Sequence, residues 1–161
     1  MIRYLYILSI LILSSCVSVN LPQNAGAKAE KLAFKAPAEP FRQIKTESAD
    51  RAWQSEKTGN TMAFLSECNS NSDAQLKSLE SETLNALQDG KVLKTKNKFY
   101  DDREALETLA EGTVDGVMVK ISLLTYQKNG CNFTLTYTGR KTKFDSELPT
   151  FDDFKESFKA P

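Results

Sequence analysis

The sequence predicts an α+β domain: an antiparallel β-sheet with a meander on its C-terminal side, packed by one long helix and one short C-terminal helix. Three observations carry this. From Ala105 to Arg140 apolar and polar residues follow a strand-like alternation, interrupted at Asp115-Gly116 and Asn129-Gly130, dipeptides favoured in tight hairpin turns. From Asp73 to Asp89 the apolar residues recur at helical spacing instead. Phe151, Phe154 and Phe158 repeat that spacing near the end of the chain. The domain is assigned to residues 41–161, behind two segments of different character, 1–15 and 16–40.

The first of these carries Arg3, then an apolar run from Tyr4 to Leu13 with one serine, Ser9, and ends at Leu13-Ser14-Ser15-Cys16. Ten residues are too few to cross a hydrocarbon core, which takes roughly 20 in a helix, but they suit a cleaved leader. The segment resembles a bacterial lipoprotein signal peptide, whose lipobox is an aliphatic residue, two small residues and a cysteine. That resemblance implies cleavage before Cys16, lipidation of Cys16 and a stable hold on the membrane, since two or more acyl chains anchor where one binds only weakly. Val17 in place of aspartate at the second mature position implies an outer-membrane location, facing the periplasm or the surface. Residues 16–40, with small apolar side chains and Pro22, Pro37 and Pro40, then read as the lipidated cysteine and a flexible tether.

Composition excludes several functions. Lysine plus arginine and aspartate plus glutamate both number 21, so the chain lacks the basic excess that nucleic acid demands. Histidine is absent, which removes Ser-His and Cys-His catalytic pairs, most zinc sites and the usual proton shuttle near neutral pH. No catalytic, cofactor or metal residue is assigned, and the chain is read as a non-enzyme. Of three cysteines, lipidation uses Cys16; Cys68 and Cys131 remain as a pair in an oxidising compartment, where a disulfide is the default.

Within the domain, Phe41 and Ile44 start an extended segment and Ala49–Glu56 forms a short strand around Trp53. Lys57–Asn60 turns the chain into a strand from Thr61 to Cys68, with Met62, Phe64 and Cys68 on one face. Ser72-Asp73-Ala74-Gln75 reads as a capping box, opening a helix that ends at Asp89 before Gly90. Leu76, Leu79, Thr83, Leu84, Ala86 and Leu87 form its apolar arc, with Glu80 and Glu82 outside it or at its edge. Lys91–Tyr100 is a strand placing Lys94, Lys96 and Lys98 on one face. These lysines read either as a solvated edge strand or as a cationic patch for lipid head groups or an acidic partner. Asp101-Asp102 is a turn.

In the meander, Asp115-Gly116 as a two-residue turn pairs Val114 with Val117, Gly112 with Val119, Ala110 with Ile121 and Leu106 with Thr125. The second loop fits two lengths. A three-residue loop, Lys128–Gly130, is preferred because it gathers Val119, Ile121, Leu123, Phe133, Leu135 and Tyr137 on one face; a two-residue loop instead sets Phe133 and Leu135 against Tyr126 and Leu124. Gly112 and Ala110 leave a trough for the long helix. The opposite face, with Leu109, Met118, Leu124 and Tyr126, is covered by the C-terminal helix, capped by Thr150. This order of elements, with the Gly112–Gly116 turn and the phenylalanine-rich C-terminal helix, resembles the PsbP-like α/β/α sandwich superfamily from Ala49 to Lys159. The resemblance implies a binding or assembly role and supplies no catalytic residue.

Three functions follow as competing expectations. The first is a membrane-anchored, non-catalytic binding or assembly module with an envelope protein as partner. The second is a small-molecule or lipid-binding lipoprotein with a cavity between sheet and helix, lined by residues such as Leu124 and Tyr126. The third, least supported, is a carboxylate hydrolase using Asp101, Asp102, Asp152 or Asp153.

Overall fold

Paired residues at positive φ set the frame of the sheet. Asp115-Gly116 (φ 48° and 76°) and Asn129-Gly130 (51° and 76°) both occupy the left-handed region, the requirement of a two-residue hairpin turn whose twist matches the flanking strands. Asp101-Asp102 (47° and 63°) makes a third such turn without glycine, in keeping with aspartate's tolerance of that conformation. Four long strands therefore follow one another with minimal loops: β4 (Gln88–Tyr100), β5 (Arg103–Val114), β6 (Val117–Lys128) and β7 (Cys131–Arg140). Ahead of them run β1 (Phe41–Ile44), β2 (Arg51–Ser55), β3 (Thr61–Cys68) and the helix α1 (Leu76–Leu84); a 3₁₀ turn (Phe144–Ser146) and α2 (Leu148–Ser157) follow. The structure, a computed structural model, describes residues 26–68 and 75–161. Met1–Cys16 and most of the capping box, Ser72 to Ala74, lie outside the described residues.

All seven strands join one antiparallel sheet in the order β1-β2-β3-β7-β6-β5-β4. The β5–β6 pairing follows the expected register, Val114 opposite Val117 through Leu106 opposite Thr125. The β6–β7 pairing does not. The loop has two residues, so Phe133 faces Tyr126, Leu135 faces Leu124 and Tyr137 faces Ser122. The one-residue slip carries Phe133, Leu135 and Tyr137 away from Val119, Ile121 and Leu123 to the other face. There they join Trp53, Met62, Phe64, Leu124 and Tyr126 beneath α2, whose Phe151 and Phe154, with Phe158 beyond its end, are all buried. Rings of Tyr126 and Phe133 stack at 5.0 Å and those of Tyr137 and Phe151 at 5.6 Å. Helix α2 begins at Leu148 with Pro149 in its first turn, two residues ahead of the expected cap at Thr150.

The helix α1 is shorter than its pattern. It ends at Leu84, and Gln88-Asp89-Gly90 already belong to β4. Gln88 pairs with Thr113, so the ladder that β5 offers up to Val114 displaces the last helical turn; local propensity yields to long-range pairing. The trough is filled at this junction: a Cβ on Gly112 would stand 2.9 Å from Leu87 Cβ. Glu80, expected at the rim of the helix, is buried instead. It accepts hydrogen bonds from Thr108 and from Thr95 (3.2 Å) and pairs with Lys77. Burial pushes its carboxyl upward, but the Lys77 ammonium and the threonine hydroxyls outweigh that and hold it below its ordinary value.

Residues 26–40 are not a free tether. Ala27 bridges to Cys68 and Ala33 to Lys159, Ala29 N–H donates to Ser66 Oγ (2.8 Å) and Lys28 pairs with Asp50 (2.9 Å). Phe34 sits among Trp53, Phe64, Phe154 and Phe158, its ring centroid 5.1–5.9 Å from theirs. The strap completes the aromatic layer where α2 does not reach. At the same end of the sheet, Cys68 and Cys131 are directly opposite in β3 and β7 and their sulfurs are bonded at 2.03 Å.

Candidate interaction surface along the edge strand

Antiparallel pairing carries a row of side chains across the sheet on the α2 side: Phe64, Leu135, Leu124, Glu107 and finally Lys96 at the edge. The row runs from the aromatic core to charge within one sheet. Lys94, Lys96 and Lys98 share this face, as their spacing predicts, opposite Leu109, Glu107 and Ala105. Glu107 is largely enclosed, with 12% of its side chain exposed. Lys96 reaches it at 2.7 Å, Lys155 of α2 at 2.5 Å and Lys98 at 3.7 Å. Burial would raise the Glu107 carboxyl, but hydrogen bonds from Lys155 and Lys96 and the charges of Lys155 and Lys98 hold it at about 2. Glu107 in turn raises Lys96 above the usual lysine value. Lys155, itself buried, also pairs with Asp152 at 2.8 Å. The lysine face is therefore part of a network fastening α2 to the sheet; Lys91 and Lys94 make no ion pair among the described residues.

Of the four aspartates expected to serve a hydrolase, Asp101 and Asp152 are engaged in structural contacts. Asp101 is 4% exposed at its side chain, takes the Ala160 N–H at 2.9 Å and pairs with Lys128 (3.2 Å) and Lys159 (3.7 Å), holding the chain's end against the β4–β5 turn. Asp152 is spent on Lys155. Among the described residues no group of three or more aspartate, glutamate, cysteine or histidine side chains could hold a metal.

Leu124 and Tyr126, expected to line a cavity, are core residues. Both are fully buried in the aromatic layer, and burial pushes the Tyr126 hydroxyl well above the usual tyrosine range. Two depressions lie between the sheet and α2: one of about 260 Å³ bordered by Lys94, Lys96, Leu109, Leu148 and Asp152, and one of about 510 Å³ bordered by Lys96, Lys98, Tyr100, Glu107, Asp152 and Lys155. Leu124 and Tyr126 line neither, and the larger has a mainly charged wall where sites that enclose small molecules are mostly apolar.

What remains open is the edge itself. Among the described residues β4 pairs only with β5; it runs for thirteen residues and is exposed from Gln88 to Asn97 and again at Phe99. Val92, Leu93 and Phe99 are 46%, 41% and 73% exposed. The opposite edge, β1, has four residues and follows Pro40. Long exposed edges are unusual because they invite another strand. Sequence reasoning placed the lysines correctly but missed Glu107 and Lys155, which lie 48 positions apart and leave no local signal.

The fold so defined is the PsbP-like α+β sandwich. No family model and no curated protein sequence matches the chain. Among solved structures it is similar to LpqN, described as involved in cell envelope biogenesis of Mycobacterium tuberculosis: TM-score 0.63, 10% identity, covering 87% of this chain and 88% of LpqN. It is also similar to cyanobacterial PsbP (CyanoP) from Synechocystis: TM-score 0.59, 11% identity, covering 92% of this chain and 99% of that one. No helix among the described residues is long and apolar enough to cross a membrane.

Proposed function

We propose that the chain is a lipid-anchored, non-catalytic binding or assembly module of the cell envelope, held at the outer membrane through Cys16. The observation that carries the binding role is the β4 edge: thirteen residues of strand with, among the described residues, one paired side and with Val92, Leu93 and Phe99 exposed. The anchor is supported by the run Tyr4–Leu13 and the Leu13–Cys16 lipobox. The envelope setting is in keeping with the likeness to LpqN, and the Cys68–Cys131 disulfide suits an oxidising compartment. A ligand-enclosing role has less support, since the residues expected to line its cavity are core residues.

Two measurements test this. Cys16→Ala should move the chain from the membrane to the soluble fraction and remove the lipid mass; an unchanged distribution refutes the anchor. Size analysis of gently solubilised envelope should place the chain in a defined complex larger than a single lipidated chain plus detergent; a chain that always migrates alone refutes the binding role.

A further inference from the structure

We infer that β4 is a docking strand for an extended, acidic segment of another envelope protein, which adds as an eighth strand to the sheet. The inference rests on the binding role proposed above and names its partner's chemistry. Strand addition needs an unpaired, accessible ladder; main-chain hydrogen bonds then supply affinity and alternate side chains supply selectivity. β4 offers both. Its two faces differ: Lys94, Lys96 and Lys98 project on the α2 side, while Thr95, Asn97 and Phe99 project on the α1 side, where Thr95 bonds Glu80. A complementary strand alternates carboxylates on the first face with apolar or small residues on the second.

Charge decides against the other occupants. β4 carries Lys91, Lys94, Lys96 and Lys98 and a single acid, Asp89. A second copy of this chain, paired antiparallel about Lys96, would set Lys96 against Lys96 and Lys94 against Lys98, like charges directly opposed. Glu107 neutralises part of the charge at Lys96 and Lys98 from within, and Glu111 faces Lys91 across the ladder, yet Lys96 keeps 52% of its side chain exposed and Lys94 makes no ion pair among the described residues. The register shifts between Gln88 and Lys91 and between Val92 and Lys94 bend the first part of the strand, so the regular segment from Lys94 to Phe99 is the part offered to an incoming chain.

The test uses the mature, lipidated chain in detergent and an eight-residue peptide alternating glutamate and valine. Amide hydrogen exchange should slow at least tenfold in 94–99 on saturation. Binding should weaken tenfold or more between 50 and 300 mM salt, and by a similar factor in Lys94→Glu, which leaves the Glu107 network in place. A peptide N-methylated at every second amide, on its ladder edge, should not bind. Protection elsewhere, equal binding of the N-methylated peptide, or equal binding of an alternating lysine-valine peptide overturns the inference. Protection of 94–99 that grows with protein concentration and without peptide assigns the edge to a second copy and also overturns it. If the envelope complex exists but 94–99 exchanges freely within it, this inference fails while the binding role stands; if the chain forms no complex at all, the binding role fails as well.

Discussion

Replacing Glu107 with glutamine keeps the side chain's shape and removes the charge on which Lys96, Lys98 and Lys155 converge. The folded protein holds this carboxyl at about 2 against an ordinary 4.5. At about 1.36 kcal/mol for each pH unit the difference is worth about 3 kcal/mol. Two of the three lysines are substantially exposed, and screening reduces the figure to about 2 kcal/mol. A carboxyl depressed by folding stabilises fully above its unfolded value and loses that contribution as pH falls toward its folded value, so the window is pH 4.5 to 2. Calorimetric melts of wild type and Glu107→Gln should therefore differ by about 6–10 °C at pH 7. By pH 3 more than half of that gap should have closed, because the unfolded wild type is then mostly protonated. Taking the difference between the two proteins cancels the titration of the remaining acids. A gap that stays constant from pH 7 to pH 3 would show that the substitution acts through packing, and the absence of any gap would show that the network adds nothing.

Gly139→Ala should be costly, because the new Cβ would lie 2.1 Å from Asn60 Oδ1. Asn60 is buried and donates to the Tyr137 hydroxyl (2.7 Å) and Glu147 (3.1 Å), so a loss of about 2–3 kcal/mol in urea unfolding is expected, and Asn60→Ala should make the two changes markedly non-additive. Phe34→Ala should release the strap: about 2 kcal/mol of stability and new protease sensitivity within 26–40, with the sheet still protected. Replacing Cys68 and Cys131 together by serine opens a closure spanning 63 positions and should lower stability by about 4 kcal/mol in the chain-entropy picture, read as a lower urea midpoint.

The parts of the fold that were legible in the sequence are those fixed by local chemistry. Asp115-Gly116 can adopt the paired positive φ values of a two-residue turn, and the β5–β6 register follows from it. Asn129-Gly130 has the same turn preference, but β6 is apolar on both faces: Ile121 and Leu123 on one, Leu124 and Tyr126 on the other, all buried. Either register yields a continuous apolar face on such a strand, so pattern alone selects the wrong one. The end of α1 was illegible for a different reason. Leu84 and Leu87 fit a helix arc equally well, and only the reach of β5, far along the chain, draws Gln88 into the sheet. Phe34 is a lone aromatic among prolines and alanines; its burial depends on a gap between four rings from three other parts of the chain. Of the candidate surface, the lysine stripe was visible as alternation, and its position at the sheet edge was one of two readings. Leu124 and Tyr126 looked available for a ligand because nothing local shows that α2 and β7 both close over them.

The central claim, a membrane-held domain that binds through its open edge, is tested most directly inside the envelope. A photo-reactive residue at position 99, on the exposed β4 edge, should give one discrete adduct in the membrane fraction, whereas the same group at position 42, on the short β1 edge, should give none. No adduct at position 99, or the same products from both positions, would contradict the claim.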